Sequence, residues 1–167
     1  MTLRPLFFAP FLALYAQQEP PPAVGTQPAQ PVPFSHRVHA AAALRCAECH
    51  KTAATATAAG MPAERLCMNC HVTIKKDSPA VTTIARHAAD GKPIDWTRLY
   101  RLPDYVSFSH RRHLRATGIE CANCHGDVAQ QDTLAKAKSI GMASCQSCHD
   151  RHKARNGCDT CHSTHPG

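Results

Sequence analysis

Apolar and polar positions are distributed unevenly along this chain. One long apolar run, residues 6–16, follows a short start that carries Arg4. The run is too short to span a bilayer and Pro10 interrupts it, so residues 1–16 read as a signal peptide cleaved after Ala16. Leu14, at the third position back, is larger than the usual small residue there, and an uncleaved amphipathic anchor is the alternative. Residues 17–33 turn polar and hold six prolines, which predicts a disordered or polyproline-like leader acting as tether or spacer. No other stretch could cross a membrane.

Beyond residue 33 the pattern predicts short helices joined by loops. Ser78 and Pro79 open a helix running to Ala89, ended by Asp90 and Gly91. Residues 91–96 read as a turn delivering the only tryptophan, Trp96, and residues 102–108 as an extended approach to the second half of the chain.

Composition changes the picture of the core. Only 5% of residues are aromatic, Leu, Ile and Val are sparse, and Ala is abundant. A mature chain of about 150 residues built this way buries too little apolar surface to offset its ordering entropy. The cysteines supply the missing core. All ten fall in five copies of Cys-x-x-Cys-His: Cys46, Cys49 and His50; Cys67, Cys70 and His71; Cys121, Cys124 and His125; Cys145, Cys148 and His149; Cys158, Cys161 and His162. Two thiols three apart can form thioethers with the two vinyl groups of one porphyrin, and the adjacent histidine presents its imidazole to the iron. The reading is five covalently bound haem c groups, one per roughly 30 residues, with the ten cysteines as attachment points and His50, His71, His125, His149 and His162 as proximal ligands. The fold class expected is mostly irregular with short α-helices, haem-cored, and largely unfolded without haem. The cysteine-free segment 78–105 is expected to shield a haem face, with a partner-docking surface as the sharper alternative. Attachment of haem to such motifs in bacteria takes place outside the cytoplasm, which agrees with export to the periplasm.

Charge points less clearly than its size suggests. The formal +7 drops to +6 once Arg4 leaves with the signal segment. Each ferric haem adds about −1 through its propionates, so the loaded protein lies near +1 oxidised and roughly −4 reduced. The basic residues are better propionate partners than a nucleic-acid face, and no basic-aromatic stripe argues otherwise.

An internal repeat organises the chain. Phe34, Ser35, His36, Arg37 and His39 return, offset by 74, as Phe108, Ser109, His110, Arg111 and His113, and a haem motif follows each copy. The expected division is a two-haem unit at 34–77, a bridging segment at 78–105 and a three-haem unit at 106–167. Seven histidines lie outside the motifs: His36, His39, His87, His110, His113, His152 and His165. The two His-x-x-His pairs read as iron ligands, since they precede haem motifs twice.

Phe-x-His-x-x-His ahead of closely spaced Cys-x-x-Cys-His resembles the class III multihaem cytochromes c, the small trihaem and tetrahaem periplasmic carriers. The resemblance covers 106–167 best and 34–71 in shortened form. It implies that His36 faces the haem of His50, His39 that of His71, His110 that of His125 and His113 that of His149. The match breaks at the haem of His162, because Gly141 stands where that family places a histidine. Met142 beside it leads as sixth ligand and would raise the potential; His152, His165, His87 or an open site compete. A second resemblance rests on Met61-Pro62, the 67–71 motif, residues 91–96 and 102–110, Cys124-His125-Gly126 and Gly141-Met142. These residues are similar to the pentahaem subunit of alternative complex III and related membrane oxidoreductases. That implies redox protein partners and a membrane quinol-oxidising complex as donor. Family members often carry a membrane anchor and a longer tail.

Three functions are compatible with these residues. The first is an electron-transfer protein rather than an enzyme, with five six-coordinate haems and no catalytic residue. The second is a multihaem reductase acting on nitrite, hydroxylamine or a sulfur oxyanion at one open iron. The third, zinc held by the Cys-x-x-Cys pairs, is disfavoured by the five following histidines and the missing core.

Overall fold

A computed structural model describes residues 22–116 and 118–162. Residues 1–21, which include the expected signal peptide, and His165 lie outside the described residues. Within them the chain forms eight short helices and one 3-10 turn, and no strand. The helices are α1 (His36–Ala41), α2 (Cys46–Cys49), α3 (Glu64–His71), α4 (Pro79–Asp90), α5 (His110–Leu114), α6 (Cys121–His125), α7 (Met142–Arg151) and α8 (Cys158–Cys161), with the 3-10 turn at Val128–Gln130. None is long and apolar enough to cross a membrane.

The longest helix, α4, is defined by its ends. The Ser78 hydroxyl accepts from the Val81 N–H at 3.2 Å, Pro79 occupies the first turn, where no backbone donor is missed, and Gly91 closes the helix at φ 63°. Its apolar face packs on α3, burying Ile84 against Val32 and Ile94, with Cys67, Met68, Ala80 and Trp96 around them. The Glu64 side chain at the start of α3 accepts from the Ile94 N–H at 2.7 Å and pins the following turn. The 78–105 segment therefore covers the helix bearing Cys67, Cys70 and His71. Truncating Ile84→Ala is expected to cost about 2–3 kcal/mol, the lower part of the range for such changes, read as a lowered guanidinium midpoint of the haem-loaded protein.

The described part of the proline-rich leader, 22–33, is not a free tether. Gly25 and Thr26 exchange backbone hydrogen bonds with Lys136 at 2.8 and 3.1 Å. The Gln30 side chain bonds both ways with the Thr97 backbone at 3.0 Å. Val32 is 1% exposed. An extended backbone leaves its own polar groups free for other segments, and this one uses them to strap the bridge to the second unit. Lys136, itself 5% exposed, donates from Nζ to the Pro22 carbonyl at 2.6 Å and lies over the Tyr100 ring at 5.8 Å.

The hydrophobic core is small. The buried apolar side chains among the described residues are Val32, Val81, Ile84, Ile94 and Leu99, while Val38, Leu44, Met61, Val72, Ile74 and Met142 stand exposed. Most of those exposed residues flank a motif or a paired histidine. This is the surface distribution expected of a shell built around something other than side chains.

Candidate functional site

Each Cys-x-x-Cys pair lies on a helix. α2, α6 and α8 begin on the first cysteine of their motif, and α3 and α7 carry theirs within. A spacing of three puts both thiols of a pair on one helix face, with the motif histidine next along. None of the ten cysteines is paired in a disulfide. Burial, the largest cause, pushes the thiols of Cys49, Cys67, Cys121, Cys124 and Cys145 up. Among the described residues no group of three or more His, Cys, Asp or Glu is placed to hold a bare metal ion.

Four of the five motif histidines share a second feature with three of the paired ones. Nδ1 of His50 lies 2.8 Å from the Gly60 carbonyl, that of His71 2.9 Å from Ile74, that of His149 2.6 Å from Arg155 and that of His162 3.3 Å from Tyr105. On the paired histidines, Nδ1 of His39 and His113 each contacts the carbonyl of its own helix cap, Ser35 at 2.7 Å and Ser109 at 2.8 Å, and His110 contacts Thr57 at 2.9 Å. A carbonyl can only accept, so these contacts place the proton on Nδ1 and leave the Nε2 lone pair for a metal. His36 departs from this. Its Nδ1 is buried without a hydrogen-bond partner. Burial, then neighbouring His50 and His39, hold its proton affinity below the ordinary imidazole range.

The ring pairs carry the fit to haem iron. Ring centres lie 6.1 Å apart for His39 and His71, 6.3 Å for His110 and His125, and 6.1 Å for His113 and His149. A metal–imidazole bond is about 2.0 Å long, so two rings across one iron have centres about 6 Å apart. These are the pairs the class III resemblance assigns. His36 lies within electrostatic reach of His50, the fourth assignment. Phe34 and Phe108 hold the paired histidines in the same way, stacking on His39 and His113 at 4.4 and 4.5 Å and meeting His36 and His110 edge-on. The repeated Phe and Ser were visible in the sequence, but their roles as ring support and helix cap were not assigned there.

The fifth site is built differently. The ring beside His162 is Tyr105, 5.9 Å away at 29°. Met142 opens α7 and is 65% exposed. His152 lies exposed at the end of the same helix. His87 sits in the last turn of α4 with Nδ1 3.0 Å from the Lys92 carbonyl. No contact between these three and His162 enters the described geometry.

Neighbouring thiols arrange the five sites in a series. Cys67 lies within electrostatic reach of Cys49, Cys46 of Cys121, Cys124 of Cys148 and Cys145, and Cys145 of Cys161. The order along the series is the site of His71, then those of His50, His125, His149 and His162.

The family described as cytochrome c7 and related cytochrome c matches this chain twice, over residues 32–89 and 106–163. The menaquinone reductase multihaem cytochrome c subunit of Nitratidesulfovibrio vulgaris (strain Hildenborough) is 28% identical over 176 residues, covering 89% of this chain and 79% of that protein. With anchored imidazoles, paired rings and two matched copies, the chain belongs to the cytochrome c7 and related cytochrome c family, and is a multihaem c-type cytochrome that transfers electrons on covalently bound haem.

Proposed function

We propose that this chain is a periplasmic pentahaem cytochrome serving as an electron-transfer subunit of a membrane quinone-linked oxidoreductase. The observation that carries the reading is the set of three histidine ring pairs at 6.1–6.3 Å. Haem supplies one-electron redox chemistry when bound. The protein's residues do the rest. The ten motif cysteines would tether the groups, and the motif and paired histidines would hold their irons. The backbone carbonyls on Nδ1 set ring orientation and raise ligand basicity, which favours the oxidised state. The partner follows from the relative, which is named for reduction of menaquinone. That name opens both directions of transfer with a quinone pool, where the sequence resemblance pointed to quinol oxidation alone.

For the fifth iron the proposal takes Met142. It stands three residues before Cys145, hence on the same face of α7, and Cys145 lies within electrostatic reach of Cys161 of the fifth motif. Its exposed thioether is free to turn toward that site.

Electron paramagnetic resonance with a stepwise redox titration tests the reading. Expected are five haems by mass, all low-spin in the ferric state, one titrating above the other four. A high-spin ferric signal together with carbon monoxide binding at one equivalent would favour the reductase instead.

A further inference from the structure

Counterpart residues of the two repeats meet each other. The offset of 75 that carries Cys46 to Cys121 also carries His50 to His125. The Cys46 and Cys121 side chains lie close enough to act on one another electrostatically. A residue that faces its own counterpart marks a twofold axis. Reciprocal contacts away from the axis agree. The Arg37 N–H donates to the Gln131 carbonyl at 3.0 Å. Its counterpart Arg111 donates to the carbonyl of Ala56, the counterpart of Gln131, at 3.1 Å. Each paired-histidine helix is thus seated on the loop that follows the other repeat's first motif.

We propose that the two repeats are related by a pseudo-twofold axis passing between the Cys46 and Cys121 attachment sites. The seam makes these two sites a coupled pair, and Asp132 is the positioning residue that clamps it. The proposal rests on the pentahaem reading for what fills the sites. It joins the repeats through their first motifs, with the 78–105 segment covering one flank.

The symmetry is broken where function needs no match. At one side of the seam the Thr57 carbonyl accepts from the His110 N–H at 2.9 Å. Its counterpart Asp132 instead accepts from Ser35 Oγ at 2.8 Å and Arg37 Nε at 3.0 Å. The Arg37 hydrogen bond, then that of Ser35, holds the Asp132 carboxyl below the usual range. Past the second motif of each repeat, the first places α4 and its buried cluster where the second places the fifth motif.

A photoreactive benzoylphenylalanine at Ala56 or Gln131 of the haem-loaded full chain tests the axis. Position 56 is expected to cross-link to the peptide around Arg111, and position 131 to that around Arg37, both within one chain. Links found only between two chains, or at neither position, would overturn the proposal. Coupling is read by electron paramagnetic resonance. Removing the haem of His125 with Cys121→Ala and Cys124→Ala should sharpen the signal of the His50 haem, whereas Cys158→Ala with Cys161→Ala should leave it unchanged. Sharpening by the second pair and not the first counts against the seam. Should the first pair fail to fold, Asp132→Arg sets like charges against each other at Arg37 with five haems retained. It should lower the cross-link yield from position 131 several-fold and sharpen the same signal; an unchanged yield and signal would remove Asp132 from the role. A haem count other than five would instead defeat the pentahaem reading while leaving the cross-links standing.

Discussion

Produced in cells that lack haem-attachment machinery, the chain is expected to yield a polypeptide with no cooperative unfolding transition. The reason lies in what it buries. Val32, Val81, Ile84, Ile94 and Leu99 are the buried apolar side chains of the described residues, and each contributes about 1.5–3 kcal/mol. Three of them form one cluster on a single side, under α4. Nothing comparable holds α6, α7 or α8, which belong to the second unit and have no buried residue. Helices of four or five residues are not stable by themselves, so α2, α5, α6 and α8 need an external surface to form on. Val38, Leu44, Val72 and Ile74, exposed beside the motifs and paired histidines, offer the apolar contacts a porphyrin would bury. Far-ultraviolet circular dichroism through a thermal melt checks this. The haem-free chain should show a flat trace with little helix, and the haem-loaded chain a sharp transition. A sharp transition without haem would place the core in the polypeptide after all.

Replacing Met142→Ala is expected to convert one haem in five from six- to five-coordinate. The reduced variant should then bind one equivalent of carbon monoxide, where the parent binds none. The argument is one of position. Met142 and Cys145 share a face of α7, Cys145 lies within electrostatic reach of Cys161, and the Met142 side chain is exposed. Thioether ligation raises a haem potential relative to a second imidazole. Met142→His should therefore lower the highest of the five potentials, keep all five irons low-spin and abolish carbon monoxide binding. The control is His152→Ala on the same helix, expected to change neither readout. Carbon monoxide binding by the His152 variant, and none by the Met142 variant, would move the ligand to the other end of α7.

Local signals made some features legible in advance. Helix α4 was expected from 79 to 89 and spans Pro79–Asp90, because Ser78, Pro79 and Gly91 act within a turn of themselves. The pairing of His39, His110 and His113 with motif histidines came from a repeated spacing plus resemblance, and the ring distances agree with it. The Nδ1 anchors were not legible. The Gly60, Arg155 and Thr57 carbonyls that hold His50, His149 and His110 belong to the backbone, which every residue type carries alike, so residue identity does not mark them. The leader misled for a related reason. Its prolines signal an extended chain, and whether an extended chain is free or strapped depends on segments such as Thr97 and Lys136 that lie far along the sequence.

The sequence by itself determined the class of this protein: the Cys-x-x-Cys-His motifs of a c-type cytochrome and the two repeats are written in contiguous residues, where bond lengths limit what neighbours can do. Only the tertiary structure decided the order of the sites. Cys46 and Cys121 are 75 positions apart in sequence and within electrostatic reach of each other in space, because the backbone groups of each paired-histidine helix found their acceptors on the opposite repeat. Hydrogen-bond geometry and close packing select such contacts among segments that no sequence spacing relates.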